Sequence, residues 1–218
     1  MPITTALPAA SCAELRERHA AAWASATQHP FLRNCQAGTI GANHFDACLI
    51  QDFSFVLAGT RFAGAALAAA PVEQFDLLLG GLSALKDELL WFQATAKERG
   101  LQVDVPLHPV CARYCALLEG AAKQPWPVVA VAHWALEAAY HEAWRGHVAG
   151  MAQPYATYAE RWSSDGFGAF VSGLAAAADT ALAAASEQER REAEAVFVQV
   201  AALEQEFWQM AFTAATVE

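Results

Sequence analysis

The sequence predicts an all-α bundle, and three observations support this fold class. Alanine, the residue with the highest helix propensity, is the most frequent residue of the chain. Apolar residues recur at spacings of three and four, whereas no segment shows the alternation of a strand or the Asn-Gly turn of a hairpin. Capping patterns and prolines mark where helices begin. No linker divides the chain, so we expect one domain over residues 1–218.

Two kinds of signal place the individual helices. The spacing of a capping box occurs twice, at Ser11/Glu14 and at Ser186/Glu189. Prolines stand where a first helical turn would begin at four places, namely Pro71, Pro109, Pro127 and Pro154. The predicted helices span residues 12–27, 43–69, 72–99, 109–121, 127–150, 154–163, 166–184 and 187–213.

Charge and hydropathy exclude several classes of protein. The formal net charge is −10, and no cluster of Lys or Arg is present, so neither nucleic acid nor an anionic membrane surface is an expected partner. An apolar fraction of 56% argues against a disordered chain. Charged residues such as Asp52, Arg61 and Glu137 interrupt the apolar stretches, and we therefore predict no transmembrane helix.

The cysteines and the N-terminal residues bear on the compartment. Five cysteines, an odd number without zinc-type CxxC pairs, are typical of reduced thiols in a cytosolic protein. Residues 1–13 lack the basic and apolar regions of a secretory signal. We therefore expect a cytoplasmic location.

The most informative residues are four carboxylic acids on apolar helix faces. Residues three, four and seven positions away share a face with each acid, and around these four the neighbours are mostly apolar or aromatic. The acids are Asp52, Glu88, Glu137 and Glu204, each on a different predicted helix. A buried carboxylate without a partner costs several kcal/mol, so each must be paired, protonated or functional.

Together with aromatic residues, these acids predict a small-molecule pocket. The aromatic residues expected to converge with them are Trp91, Trp134, Trp162, Trp208 and Tyr114. Burial would raise the pKa values of the acids toward those useful in acid–base catalysis. For any single acid, a structural ion pair or hydrogen bond inside the bundle explains the pattern equally well.

Two chemistries could use such a pocket. A di-metal carboxylate bundle needs Glu-x-x-His motifs, which the sequence lacks, although His133, Glu137 and His141 follow one another at four-residue steps and could hold one metal ion. Hydrolysis of a planar heterocycle without metal needs carboxylates that bind ring nitrogens and one acid that activates water. The residues of this chain suit hydrolysis without metal better than a metal site, so we expect neither a metal ion nor another cofactor.

Six stretches of the chain resemble the TenA family of thiamin-salvage proteins. In order they are HPFLRNCQAGTI (29–40), LIQDFSF (49–55), KDELLWF (86–92), HWALEAAY (133–140), RWSSDGFGAF (161–170) and ALEQEFWQM (202–210). The resemblance covers residues 28–212 and is strongest to the plant-like TenA_E branch, which lacks the active-site cysteine. It implies a haem-oxygenase-like all-α fold and a homodimer or homotetramer. It also implies hydrolysis of aminomethyl- or N-formylaminomethyl-pyrimidine, two breakdown products of thiamin, to hydroxymethylpyrimidine.

The resemblance assigns roles to particular residues. Asp52 matches the aspartate that binds the amino group and ring nitrogen of the pyrimidine, and Glu204 matches the catalytic glutamate. Tyr114 matches a tyrosine that hydrogen-bonds near the reacting group. Phe55 and Trp162 fall at aromatic positions of the pocket wall where relatives often have tyrosine.

One departure from the cysteine-containing relatives changes the expected mechanism. Their nucleophile lies on the helix that here reads VVAVAHWALEAAY, yet no cysteine occurs between residues 116 and 218. We therefore expect no covalent attack by sulfur and assign Glu137 to orient the attacking water. Glu88 and Trp134 are added as expected substrate contacts. A metal-dependent oxidase on the same fold and a non-catalytic pyrimidine-binding protein remain the alternatives.

Overall fold

The computed structural model describes residues 8–214, which form ten α-helices and one 3-10 helix and contain no strand. The stretch 1–13, in which the sequence predicts no secretory signal, lies mainly outside these residues. The helices are α1 (Cys12–Arg18), α2 (Ala20–Thr27), α3 (Pro30–Ala37), α4 (Ala42–Ala69), α5 (Phe75–Arg99), α6 (Pro109–Ala121), α7 (Trp126–Arg145), α8 (Tyr155–Trp162), α9 (Asp165–Ala184) and α10 (Glu187–Phe212), and the 3-10 helix Val72–Gln74 precedes α5.

Helix α7 is the centre of the bundle. Apart from His133 and Glu137, its residues between 128 and 139 are all apolar, and most of this stretch is buried. Such a helix is stable only when other helices surround it. Helices α2, α4, α8, α9 and α10 all pack against α7. The all-α fold predicted from the sequence is confirmed.

The predicted capping residues act as expected. Ser186 and Glu189 form both hydrogen bonds of a capping box, and the Ser11 hydroxyl accepts a hydrogen bond from the Glu14 N–H group. Two caps were not predicted, because histidine is an unusual capping residue. The Nδ1 atoms of His29 and His108 accept the first N–H groups of α3 and α6, each just before a proline at the first helical position.

The structure differs from the predicted helices at three places. The helix predicted over 12–27 is divided at His19, and the helix predicted over 127–150 ends at Arg145. Helix α3 was not predicted at all, because its eight residues form less than three turns of apolar pattern. The sequence marks the C-terminal end of α3 with Gly38. This residue adopts a left-handed conformation with φ of 70°.

One segment is apolar enough to cross a membrane by length and composition alone. It covers Tyr155–Ala184, with a mean hydropathy of 1.4, contrary to the expectation that no segment would qualify. A single segment of this kind is weak evidence, since core helices of soluble proteins meet the same criterion. Here the segment is two helices, α8 and α9, and about a quarter of its most apolar window (28%) is buried.

Helices α5 and α9 approach each other closely at glycines. A Cβ atom at Gly81 would lie 2.6 Å from the Phe170 ring, and one at Gly173 would lie 2.7 Å from Leu77. At the neighbouring Gly80 a Cβ atom would meet nothing within 4 Å. The absence of a Cβ atom at Gly81 and Gly173 therefore allows α5 and α9 to pack this closely.

This difference predicts opposite effects of two alanine substitutions in α5. Gly80→Ala is expected to raise the free energy of unfolding by about 0.5–1 kcal/mol, since alanine favours the helix and meets open space. Gly81→Ala is expected to lower it by about 1–3 kcal/mol, since the Phe170 ring must move. Urea denaturation measures both. Equal stability of the two variants would contradict the close approach at Gly81.

Candidate active site

A cavity of about 950 Å³ opens between α4, α5, α7, α8 and α9. Its wall is mostly apolar and includes Phe55, Leu85, Phe92, Leu136, Phe167 and Phe170. A few polar side chains interrupt this wall, among them Asp52, Glu88, Glu137, Tyr140 and Arg161. Apolar surroundings with a few convergent polar groups are typical of a small-molecule site.

Asp52 is fixed by a tyrosine from the central helix. The Tyr140 hydroxyl donates a hydrogen bond of 2.8 Å to Asp52 Oδ2. Burial raises the pKa of Asp52 to about 7, the hydrogen bond from Tyr140 partly opposes this, and the negative charge of Glu88 adds to it. Asp52 can therefore either accept or donate a proton near neutral pH.

Glu88 differs from the other acids because both of its oxygens have partners. The Trp162 indole donates a 2.9 Å hydrogen bond to Oε1, and Arg161 forms an ion pair of 2.6 Å with Oε2. The Arg161 guanidinium also lies 4.6 Å above the Trp91 ring. Glu88 lines the cavity as expected, but these contacts make it part of a structural network that positions Trp162.

Glu137 lies in the cavity wall with no close hydrogen-bond partner among the described residues. The His133 Nε2 atom lies 3.9 Å from Glu137 Oε1. Burial raises the pKa of Glu137 to about 7, and the charges of Glu88 and Asp52 add to the effect. Glu137 is thus placed to exchange a proton with a bound molecule or water.

Glu204 and Tyr114 form a pair beside the cavity rather than in its wall. The Tyr114 hydroxyl donates a 3.1 Å hydrogen bond to Glu204 Oε2, and the ring of Phe55 packs against Tyr114 at 4.4 Å. Phe55 itself lines the cavity. Burial raises the pKa of Glu204 to about 8, Tyr114 partly opposes this, and the charges of Asp52 and Glu137 add to it.

The three acids of raised pKa influence one another. Asp52 and Glu204 are buried and the Glu137 side chain is 14% exposed, and the negative charge of one acid disfavours ionisation of the others. At neutral pH some of them are protonated while the others are ionised. The site thus holds an acid and a base together, which is the requirement for proton transfer in both directions.

The expectation that Trp134 contacts the substrate needs correction. Its ring lies nearly parallel to those of Trp23, at a centroid distance of 6.0 Å, and Phe197, at 5.6 Å, which also contact each other. It does not line the cavity. Around α7, Trp134 is offset by about 60° from Glu137 and about 120° from Tyr140, toward the side on which α7 faces α2 and α10. It is a core residue between α7, α2 and α10.

The three residues considered as a mono-metal site are not grouped as ligands. His133 contacts Glu137 only at 3.9 Å, and the His141 ring packs edge-on against Phe167. Between residues 8 and 214, no group of three or more His, Cys, Asp or Glu side chains is arranged to hold a metal ion. None of the five cysteines lines the cavity, and Cys111 is directed to the backbone carbonyl of Gln51.

Sequence reasoning missed several polar residues of the cavity, of which Tyr140 and Arg161 contact the selected acids. Tyr140 follows Glu137 by three residues on the same helix face, so the spacing that selected Glu137 could have selected it. Arg161 had no signal of its own, because an arginine at the end of a short helix is ordinarily solvated. Its role depends on α8 packing against α5, which no local pattern reveals.

The fold and the site define an all-α protein with a small-molecule cavity equipped for acid–base chemistry. The chain belongs to the TENA/THI-4/PQQC family, whose sequence profile matches residues 16–214. It is 30% identical over 205 residues to a Glycine max protein described as "Probable bifunctional TENA-E protein", covering 89% of this chain and 90% of that one. The family and the plant-like branch expected from the motifs are thereby confirmed.

Solved structures confirm the haem-oxygenase-like fold. A TenA homologue from Pyrococcus furiosus superposes with a TM-score of 0.88 at 26% identity, covering 92% of this chain and 98% of that one. A TenA homologue from P. horikoshii superposes with a TM-score of 0.80 at 19% identity, covering 92% and 97% of the two chains.

Proposed function

We propose that this protein hydrolyses the pyrimidine breakdown products of thiamin. The substrate would be aminomethyl- or N-formylaminomethyl-pyrimidine and the final product hydroxymethylpyrimidine. The observation that carries the proposal is the group of three buried carboxyl groups of raised pKa at an aromatic-lined cavity. The similarity to a plant protein described as TENA-E supports it.

Asp52 binds the pyrimidine ring in this proposal. An aminopyrimidine presents an N–H donor next to a basic ring nitrogen, and a carboxyl group can engage both at once. The Tyr140 hydrogen bond holds Asp52 in one orientation, and its pKa of about 7 lets it share a proton with the ring nitrogen. Aromatic walls such as Phe55 and Trp162 pack against the planar ring.

Glu137 and Glu204 transfer the protons. In the C–N hydrolysis, water attacks the exocyclic carbon, the bond to nitrogen breaks, and ammonia leaves with one proton from the acid. Glu137 lines the cavity and takes the proton of the attacking water, whereas Glu204, held by Tyr114, supplies the proton that reaches the leaving amine. For the N-formyl substrate the same groups would serve attack on the formyl carbon, releasing formate.

Asp52→Asn is expected to act mainly on binding. An amide offers one acceptor and one donor in fixed places and cannot share a proton with the ring nitrogen, so KM should rise by about tenfold or more. The Tyr140 hydroxyl can still donate to the amide oxygen, which keeps the local structure. Steady-state kinetics separate the parameters. A fall in kcat with unchanged KM would contradict the role of Asp52 in ring binding.

The first experiment incubates chelator-treated protein with each pyrimidine and identifies products by mass spectrometry. Hydroxymethylpyrimidine or the deformylated amine, unaffected by chelator, is the expected result. Turnover only after iron is added would instead favour the oxidase alternative. Binding without turnover in either condition would favour a pyrimidine-binding protein.

The remaining expectations from the sequence are part of the proposal. They are a homodimeric or homotetrameric assembly, a cytoplasmic location, no resident cofactor, and no nucleic-acid or membrane partner. Light scattering of the purified protein measures the first of them directly.

A further inference from the structure

His133 is a buried histidine that the proposed reaction does not use. It is 2% exposed, and neither of its ring nitrogens has a hydrogen-bond partner among the described residues. Burial lowers the pKa of His133 to about 4, so the imidazole is neutral at pH 7 and carries one N–H donor and one acceptor nitrogen. Buried polar groups without partners are rare in folded proteins and call for an explanation.

Two aromatic rings and one carboxyl group lie against the His133 side chain. The rings of Phe62 and Phe170 pack edge-on against the imidazole, at centroid distances of 5.6 Å and 6.0 Å. The Nε2 atom is 3.9 Å from Glu137 Oε1, one helical turn along α7. A shift of about 1 Å brings these two atoms to hydrogen-bonding distance.

We infer that His133 is a positioning residue for Glu137, through a hydrogen bond from Nε2–H to Oε1 that forms in the working enzyme. The two aromatic rings that pack against the imidazole offer it no oxygen acceptor in competition with Glu137. The bond fixes the Glu137 carboxyl toward the cavity and favours its ionised form, in which it accepts the proton of water. The assignment of that proton to Glu137 rests on the proposed function, whereas the hydrogen bond itself does not.

The other acids around Glu137 act in the opposite direction. Burial keeps the pKa values of Tyr114 and Tyr140 well above their ordinary value, and their hydroxyls already donate to Glu204 and Asp52. The acids come from three other helices, namely Asp52 on α4, Glu88 on α5 and Glu204 on α10. Negative charge on any of them disfavours the Glu137 carboxylate. Arg161 is paired with Glu88 and so offsets the charge of that residue rather than that of Glu137. His133 is therefore the neighbouring side chain placed to donate to the ionised form.

The kinetic test compares His133→Leu with His133→Gln. Leucine removes the donor, so the acid limb of the kcat/KM profile should move to higher pH by about one unit, with kcat about tenfold lower at pH 6.5. Glutamine can place an amide N–H near the position of Nε2, so His133→Gln should have nearly the wild-type pH profile and nearly the wild-type kcat. A histidine that only fills space would leave the pH profile of the leucine variant unchanged, and that result would overturn the inference.

His147→Leu is the matched control. His147 is also buried, but its Nδ1 atom already has a partner, the Ala143 carbonyl at 2.7 Å. Replacing His147 with leucine should lower the stability of the protein and leave the pH profile of kcat/KM unchanged. Leucine fills a similar volume and creates no new buried polar atom, so His133→Leu should fold.

A second readout needs no substrate. In protein labelled with ¹⁵N-histidine, the Nε2 resonance of His133 should be that of an N–H nitrogen and should shift as Glu137 titrates near pH 7; Glu137→Gln should abolish the shift. A resonance that is constant from pH 5 to 9 would overturn the inference. Absence of turnover with every pyrimidine would refute the proposed function and leave this measurement to decide the role of His133.

Discussion

Replacing Glu204 with glutamine is expected to lower kcat about 10²-fold or more. Proton transfer by a positioned side chain contributes about 10²–10⁴-fold to a rate, and an amide cannot carry the proton. The pKa of Glu204 is raised to about 8, so the native side chain can hold a proton at neutral pH and deliver it to the leaving amine. Steady-state kinetics on the aminomethyl-pyrimidine, at saturating concentration, measure the effect.

The effect should come from chemistry rather than from disrupted folding. Glutamine has the shape of glutamate, and its carbonyl oxygen can still accept the hydrogen bond from Tyr114. Glu206→Gln is the matched control, because Glu206 lies on the same helix, is solvent-exposed and pairs with Arg113 at the surface. Wild-type kcat in Glu204→Gln would contradict the role of Glu204 as the acid that protonates the leaving amine.

Raising the pH from 6.5 to 8.5 is expected to destabilise the protein. Burial raises the pKa values of Asp52, Glu137 and Glu204 to about 7, 7 and 8, whereas carboxyl groups in an unfolded chain have values of about 4. The folded state therefore holds protons that the unfolded state has released. Stability from these groups is complete below about pH 4 and is lost as the pH rises through the folded-state values.

Between pH 6.5 and 8.5, other groups contribute little to the pH dependence of stability. Burial lowers the pKa values of His29 and His133, which makes stability rise with pH, but only up to about pH 6.5. Between pH 6.5 and 8.5 the acids should cost on the order of 2 kcal/mol, which is about 5 °C in Tm for a chain of this size. Calorimetry or circular dichroism measures Tm across the window.

Glu204→Gln serves this prediction as well. It removes the group with the highest pKa of the three, so Tm should fall less between pH 6.5 and 8.5 than in the wild type. Glu206→Gln should keep the wild-type dependence, because Glu206 is exposed. The same slope in the wild type and in Glu204→Gln would mean that Glu204 keeps an ordinary pKa in the folded protein.

Local patterns were sufficient to predict most of the fold. Helix periodicity, capping residues and prolines gave the long helices, because each signal lies within one element. The break at His19 and the short helix α3 were missed, because tertiary packing rather than local preference decides them. The C-terminal end of α7 was overextended for a related reason: residues 146–150 are compatible with a helix but form turns here.

The candidate site was predictable where an acid stood on an apolar face. All four acids selected in this way are shielded from solvent, and three of them have raised pKa values. The sequence did not predict which of the four acids is paired and which lies beside the cavity. Glu88 is paired by Arg161, and Glu204 lies beside the cavity next to Tyr114, because of contacts between helices that are distant in sequence. The spacing of residues on one helix predicts which side of that helix a side chain occupies. It does not predict which other helix packs against that side.

The central position of α7 has a consequence for how this protein could diversify. His133, Glu137 and Tyr140 lie on successive turns of that one buried helix, so the spacing of the reactive groups is that of a rigid rod. The size of the cavity depends instead on α5 and α9, whose glycines set their separation. Reaction and substrate range are thus encoded in different parts of the chain, and enlarging or narrowing the space for a substrate would leave the reacting groups where they are.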